Sequence, residues 1–176
     1  MGFFDNLFGS KEKQAQDTTS EKTIVCEPKT IYSPLKGTVK PLSEVSDPVF
    51  AEGVMGPGVG IDPEEGKLYA PTDGEVVSVF PTGHAVGMKT EDGMEILLHI
   101  GIDTVQLEGD GFKAIVKQGD HVKAGELLVE FDCAKITEKG YQTTTMVLVP
   151  NAAELGTMSQ PHLGPVEAME QLFNFK

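Results

Sequence analysis

The 176-residue chain has no arginine and no tryptophan, only two cysteines, and no long apolar run. Each absence removes a class of function. Without a guanidinium there is no bidentate grip on phosphate or carboxylate, so any phosphate chemistry must be handled another way. All 14 cations are lysines, and they face 27 carboxylates for a formal charge of −13. Nucleic acid is thereby an unsuitable partner, because neutralising phosphates needs clustered Lys and Arg; a basic protein surface is favoured. Cys26 and Cys133 lie far apart, outside any Cys-x-x-Cys or metal-finger spacing, and read as two reduced thiols. No stretch approaches the roughly 18 apolar residues that span a bilayer, and the N-terminus lacks the basic region and small-residue cleavage site of a secretory signal. The expected location is the cytoplasm.

What is present is turn-forming residue in quantity, with 20 Gly and 11 Pro. In residues 1–22, Phe3, Phe4, Leu7 and Phe8 form a short stripe at helical spacing, followed by a polar, non-periodic linker. A tail this short supports at most weak membrane contact. Residues 23–176 are expected to form one domain. There, apolar stretches at 75–80, 85–88, 94–100 and 126–131 alternate with Gly, Pro and Asp clusters. The pattern is all-β, with only very short helical turns: residues 111–118 read as at most a turn or two of helix, and 165–173 as strand or helix.

An internal echo suggests duplication. Ser33-Pro34-Leu35-Lys36-Gly37-Thr38-Val39 recurs as Ala70-Pro71-Thr72-Asp73-Gly74-Glu75-Val76, and the turn Gln118-Gly119-Asp120-His121-Val122-Lys123-Ala124-Gly125-Glu126 has a weaker trace at Gly164-Pro165-Val166-Glu167-Ala168. Repeated hairpin units of this kind build a β-sandwich or a partly open barrel.

The chemistry is expected on His84 and His99. Asp92-Gly93 between them is a strong hairpin signal. A two-residue loop there places the histidines on one face as diagonal neighbours, with Val86, Met88 and Leu97 around them; a loop at Glu91-Asp92 places them directly opposite. A three-residue loop breaks the parity argument. Two imidazoles this close do not both hold a proton cheaply, which leaves a ring nitrogen free as nucleophile, base or metal ligand. Two partly buried histidines satisfied by backbone groups are the bland alternative.

The segment Gly93-Met94-Glu95-Ile96-Leu97-Leu98-His99-Ile100-Gly101-Ile102-Asp103-Thr104-Val105 resembles the signature of the glucose-type enzyme IIA (EIIA) of the bacterial phosphoenolpyruvate-dependent sugar phosphotransferase system. The resemblance extends through Leu107-Glu108-Gly109-Asp110-Gly111-Phe112 and Gly119-Asp120-His121-Val122. Upstream it takes in Thr82-Gly83-His84-Ala85 and Asp47-Pro48-Val49-Phe50, and it covers roughly residues 31–150. It implies a phosphotransferase component that accepts a phosphoryl group from the histidine-containing phosphocarrier protein HPr and passes it to a cysteine of a sugar-specific enzyme IIB (EIIB) domain. The implied acceptor is His99 through Nε2, with Nδ1–H held by the Gly101 carbonyl. His84, oriented by the Thr82 hydroxyl, is implied to hydrogen-bond the phosphoryl group. An apolar rim of Val49, Phe50, Val54, Met55, Phe80, Leu97 and Val105 is implied to dock partners, with Asp47 and Asp103 facing basic groups on them. Permeases or kinases regulated through the same face are further implied partners. His121 and His162 carry no such role.

No cofactor is required for this chemistry. A zinc peptidase on a related scaffold needs a His-x-His pair, which the Leu97 and Gly101 neighbours of His99 exclude; His84 and His99 make a zinc site only if a partner supplies a carboxylate. A biotinyl or lipoyl carrier needs a modified lysine at a hairpin tip, and Met88-Lys89-Thr90 lacks the second methionine. A regulatory protein that only binds through the histidine face is the remaining alternative. With no IIB or IIC sequence attached, a free-standing carrier is expected.

Overall fold

The structure is a computed structural model that describes residues 24–176. The amphipathic stripe and linker of residues 1–22 lie outside the described residues. Among the described residues, thirteen short strands are linked by turns in which glycine supplies most of the left-handed residues. β1 (Thr30–Tyr32) pairs with β13 (Gln171–Asn174). β4 (Lys67–Tyr69), β10 (Leu127–Phe131) and β8 (Phe112–Ala114) make a second sheet in that order. The third sheet joins β12 (Gly164–Val166), β2 (Gly37–Pro41), β3 (Gly58–Pro63), β11 (Thr145–Leu148), β7 (Glu95–Ile100), β6 (Ala85–Lys89), β5 (Gly74–Val79) and β9 (His121–Val122). Every pairing is antiparallel, and the large sheet keeps two free edges rather than closing into a barrel. The helices are brief: α1 (Pro48–Ala51) and α2 (Cys133–Glu138).

The echo is a structural duplication. Tyr32 N–H donates to Pro71 O, and Tyr69 N–H donates to Pro34 O, so the two copies bond each other reciprocally. Gly37 and Gly74 each open a strand where a side chain would strike the neighbouring backbone, 2.2 Å from Asp62 O and 2.8 Å from Lys89 O respectively. The weaker trace is also real. Gly125 N–H bonds Ala70 O and Met169 N–H bonds Ser33 O, with Lys123 N–H on the Glu126 carboxylate and Glu167 N–H on the Glu170 carboxylate. Met169 occupies the left-handed place (φ 75°) that Gly125 fills in the other copy (φ 90°). The local two-fold relation passes between β7 and β11, at the centre of the large sheet.

Two expectations change. Residues 112–114 form strand β8 rather than a helical turn, because pairing with β10 lets Phe112 stack on Phe131. Residues 165–173 resolve into parts of two strands. The main core draws on all three sheets, through residues such as Ile31, Leu68, Leu98, Leu128, Val147 and Phe173. The opposite face of the large sheet carries a smaller cluster of Leu42, Val45, Phe50, Ile102, Met146 and Leu148. Strand β7 alternates between the two: Ile96, Leu98 and Ile100 enter the main core, while Leu97 and His99 face the small one.

Candidate functional site

The β6–β7 register pairs Ala85 with His99 and Lys89 with Glu95. Thr90 N–H then donates to Met94 O across a three-residue loop, Glu91-Asp92-Gly93. This is the loop length that breaks the parity argument, and the correction is visible in the packing: Val86 and Met88 are fully buried in the main core, not beside the histidines. His84 nevertheless reaches His99. It stands one residue before β6, after Gly83 at φ 76°, where alternation no longer dictates its direction. The His84 and His99 ring centroids are 4.9 Å apart and nearly perpendicular, at 79°.

Each ring is held by its Nδ1. His99 Nδ1 lies 2.9 Å from Gly101 O. A carbonyl only accepts, so Nδ1 carries the proton and the neutral ring presents a lone pair at Nε2. His84 Nδ1 lies 2.5 Å from Thr82 Oγ1. Glycine is required at 101: φ is 84°, and a Cβ would fall 2.3 Å from Thr104 Cγ2 and 2.9 Å from Gln142 O. The turn is pinned by Gly101 N–H to Thr144 O and Ile102 N–H to Gln142 O.

Both imidazoles are biased toward the neutral form. His84 is 2% exposed, and burial, aided by repulsion from His99, pushes its pKa down to about 4. His99 is lowered chiefly by burial, against which the Gly101 carbonyl and the charges of Asp47 and Asp103 act in the opposite direction. Asp47 is fixed as N-cap of α1, its Oδ1 accepting Val49 N–H at 2.9 Å, and Asp103 adopts φ 59° immediately after the Gly101 turn.

The apolar residues divide into rim and wall. Val49, Val54, Met55, Phe80 and Val105 are exposed. Phe50 is only 7% exposed; its ring lies 4.9 Å from that of His99 and belongs to the small cluster, with Leu97 packed against it. Phe80 meets His84 edge-on at 5.4 Å. Sequence reasoning did not single out Phe112, whose ring meets that of His84 edge-on at 6.4 Å; the only signal was its place in the family motif. His121 and His162 lie outside this constellation, His162 Nε2 being 3.1 Å from Pro165 O. Among the described residues no group of three or more His, Cys, Asp and Glu is arranged to hold a metal ion.

Residues 29–155 match the model of a family described as phosphoenolpyruvate-dependent sugar phosphotransferase system, EIIA 1. The chain belongs to this family. It is 44% identical over 157 residues to a PTS system glucose-specific EIIA component of Halalkalibacterium halodurans, covering 89% of this chain and 88% of the relative. It is also 47% identical over 142 residues to a PTS system beta-glucoside-specific EIIBCA component of Bacillus subtilis, covering 81% of this chain and 23% of that longer protein. The solved glucose permease IIA from Mycoplasma capricolum superposes with a TM-score of 0.77 at 36% identity, over 82% of this chain and 93% of that one. The EIIA fold is thus the duplicated β-sandwich described above. No helix among the described residues is long and apolar enough to cross a membrane.

Proposed function

We propose that this EIIA protein is a phosphohistidine carrier in which His99 Nε2 takes a phosphoryl group from phospho-HPr and passes it to a cysteine of an EIIB domain. The observation that carries this reading is the 2.9 Å bond between His99 Nδ1 and Gly101 O, which leaves Nε2 as the unprotonated nitrogen beside His84. The Nε2 lone pair attacks phosphorus, the donor's P–N bond breaks, and its electron pair returns to the donor imidazole. No proton has to leave His99. In the second step a thiolate attacks, and the electron pair of the His99 P–N bond returns to Nε2.

His84 supports both steps. With the Thr82 hydroxyl donating to its Nδ1, its neutral ring carries the proton on Nε2 and offers one hydrogen bond to the phosphoryl oxygens. One neutral donor stabilises the phospho-form less than a guanidinium clamp does, which suits a group that must leave again. The exposed rim of Val49, Val54, Met55, Phe80 and Val105 docks interchangeable partners with few directional demands, and Asp47 and Asp103 steer basic partner surfaces toward it. Beta-glucoside-specific relatives in which EIIA is joined to EIIB and EIIC support an EIIB acceptor. The carrier requires no cofactor and works in the cytoplasm, where HPr and EIIB meet it. The sugar is set by the permease.

The test is a two-stage relay. Protein phosphorylated by HPr is separated from its donor and mixed with a purified EIIB domain. Loss of label from the protein and its appearance on the EIIB cysteine supports the proposal, and label that stays on the protein contradicts the carrier role.

A further inference from the structure

The Ile100 carbonyl at the end of β7 has lost its ladder partner. Ile100 N–H donates to His84 O at 2.7 Å, but the reciprocal bond from His84 N–H to Ile100 O is not made. A side chain replaces it: Thr104 Oγ1 donates to Ile100 O at 2.5 Å. Thr104 is wholly buried. Its Cγ2 and Oγ1 lie 2.3 and 3.0 Å from where a Cβ on Gly101 would sit, so the threonine fills the space that the glycine leaves.

The duplicated half shows what this arrangement replaces. There Val149 N–H donates to Pro57 O at 3.0 Å, as Ile100 does to His84 O, and Pro57 has no N–H to return. The Val149 carbonyl is taken by the backbone N–H of Ala152 at 3.1 Å. That half has Leu148 and Pro57 at the places of His99 and His84, and no left-handed glycine follows Val149. In the histidine half a hydroxyl does the work of the backbone amide, so the chain can turn through Gly101 at φ 84° and aim its carbonyl back at His99.

We propose that Thr104 is a positioning residue for the acceptor: by holding the Ile100 carbonyl through its hydroxyl, it fixes the turn that keeps the His99 proton on Nδ1 and the lone pair on Nε2. This rests on the reading of His99 as acceptor. Thr104 touches no transferred group and acts only through Ile100 and Gly101. Its hydroxyl is the feature that matters, so a serine should serve and an isosteric valine should not.

The experiment compares wild type, Thr104→Ser and Thr104→Val in the full chain. Ring-nitrogen NMR shifts of His99 give the tautomer, and the initial rate of phosphorylation by HPr gives the reactivity. We expect Thr104→Ser to keep the Nδ1–H tautomer and a rate within about twofold of wild type. Thr104→Val should show a mixed tautomer and a rate reduced about tenfold or more. Wild-type nitrogen shifts in a folded Thr104→Val protein would overturn the proposal, as would a Thr104→Ser protein as impaired as the valine variant. If wild type takes no phosphate at all, the carrier reading fails, while the nitrogen shifts still decide the role of Thr104.

Discussion

Gly101 and His99 share one hydrogen bond that decides which nitrogen of the His99 imidazole is free. The bond spans 2.9 Å and depends on a backbone conformation, φ 84°, that places the carbonyl two residues ahead back over the ring. Gly101→Ala should therefore damage fold and site together. The new Cβ falls 2.3 Å from Thr104 Cγ2 and 2.9 Å from the Gln142 carbonyl. Left-handed strain and overpacking together cost about 2 to 4 kcal/mol. Denaturant unfolding should show this loss, and the surviving folded fraction should phosphorylate more slowly than wild type.

The buried histidines make stability depend on pH, with a definite sign. His84 has a folded-state pKa of about 4, below the roughly 6.5 of an unfolded histidine. Between those values the unfolded chain binds more protons, so the stabilisation is fully present above about pH 6.5 and is lost as pH falls toward 4. The lowered His99 adds a contribution of the same sign. Unfolding midpoints measured from pH 7.5 to 4.5 should fall, and His84→Gln should flatten the slope. An unchanged slope in that variant would mean that His84 titrates normally.

The rim can be separated from the fold. Val54 and Val105 are exposed, so Val54→Glu or Val105→Glu should change stability by no more than about 0.5 kcal/mol. Each should raise the apparent KM for HPr or EIIB several-fold with little change in maximal rate, because docking is weakened while His99 is untouched. Phe50→Ala is the contrasting case: that ring is buried against His99, and its loss should lower stability as well as rate.

Much of this was legible in the residues, and the exceptions have physical causes. The Ser33–Val39 and Ala70–Val76 echo identifies the duplication because both glycines are forced by a neighbouring backbone. The convergence of His84 and His99 was legible only through the family motif, because the two-residue loop on which the alternation argument rested is a three-residue loop in the structure. Alternation governs residues inside a ladder, and His84 is outside it, freed by Gly83. Phe50 reads as rim because the family resemblance implies docking by that segment, and nothing in Val49-Phe50 marks which of the two side chains turns inward. The role of Met169 was hidden because a methionine gives no sign of a left-handed turn that its counterpart declares with Gly125. Thr104 was quoted within a motif, but its bond to Ile100 follows from three-dimensional closure of the turn.

The central claim is that His99 is the acceptor and His84 its assistant. The most direct measurement is intact mass after incubation with phosphoenolpyruvate, enzyme I and HPr, before and after brief acid treatment, for wild type, His99→Gln and His84→Gln. The account predicts one acid-labile phosphoryl group on wild type and on His84→Gln, none on His99→Gln, and slow onward transfer to EIIB from the His84 variant alone. A phosphoryl group on His99→Gln equal to that on wild type would contradict it.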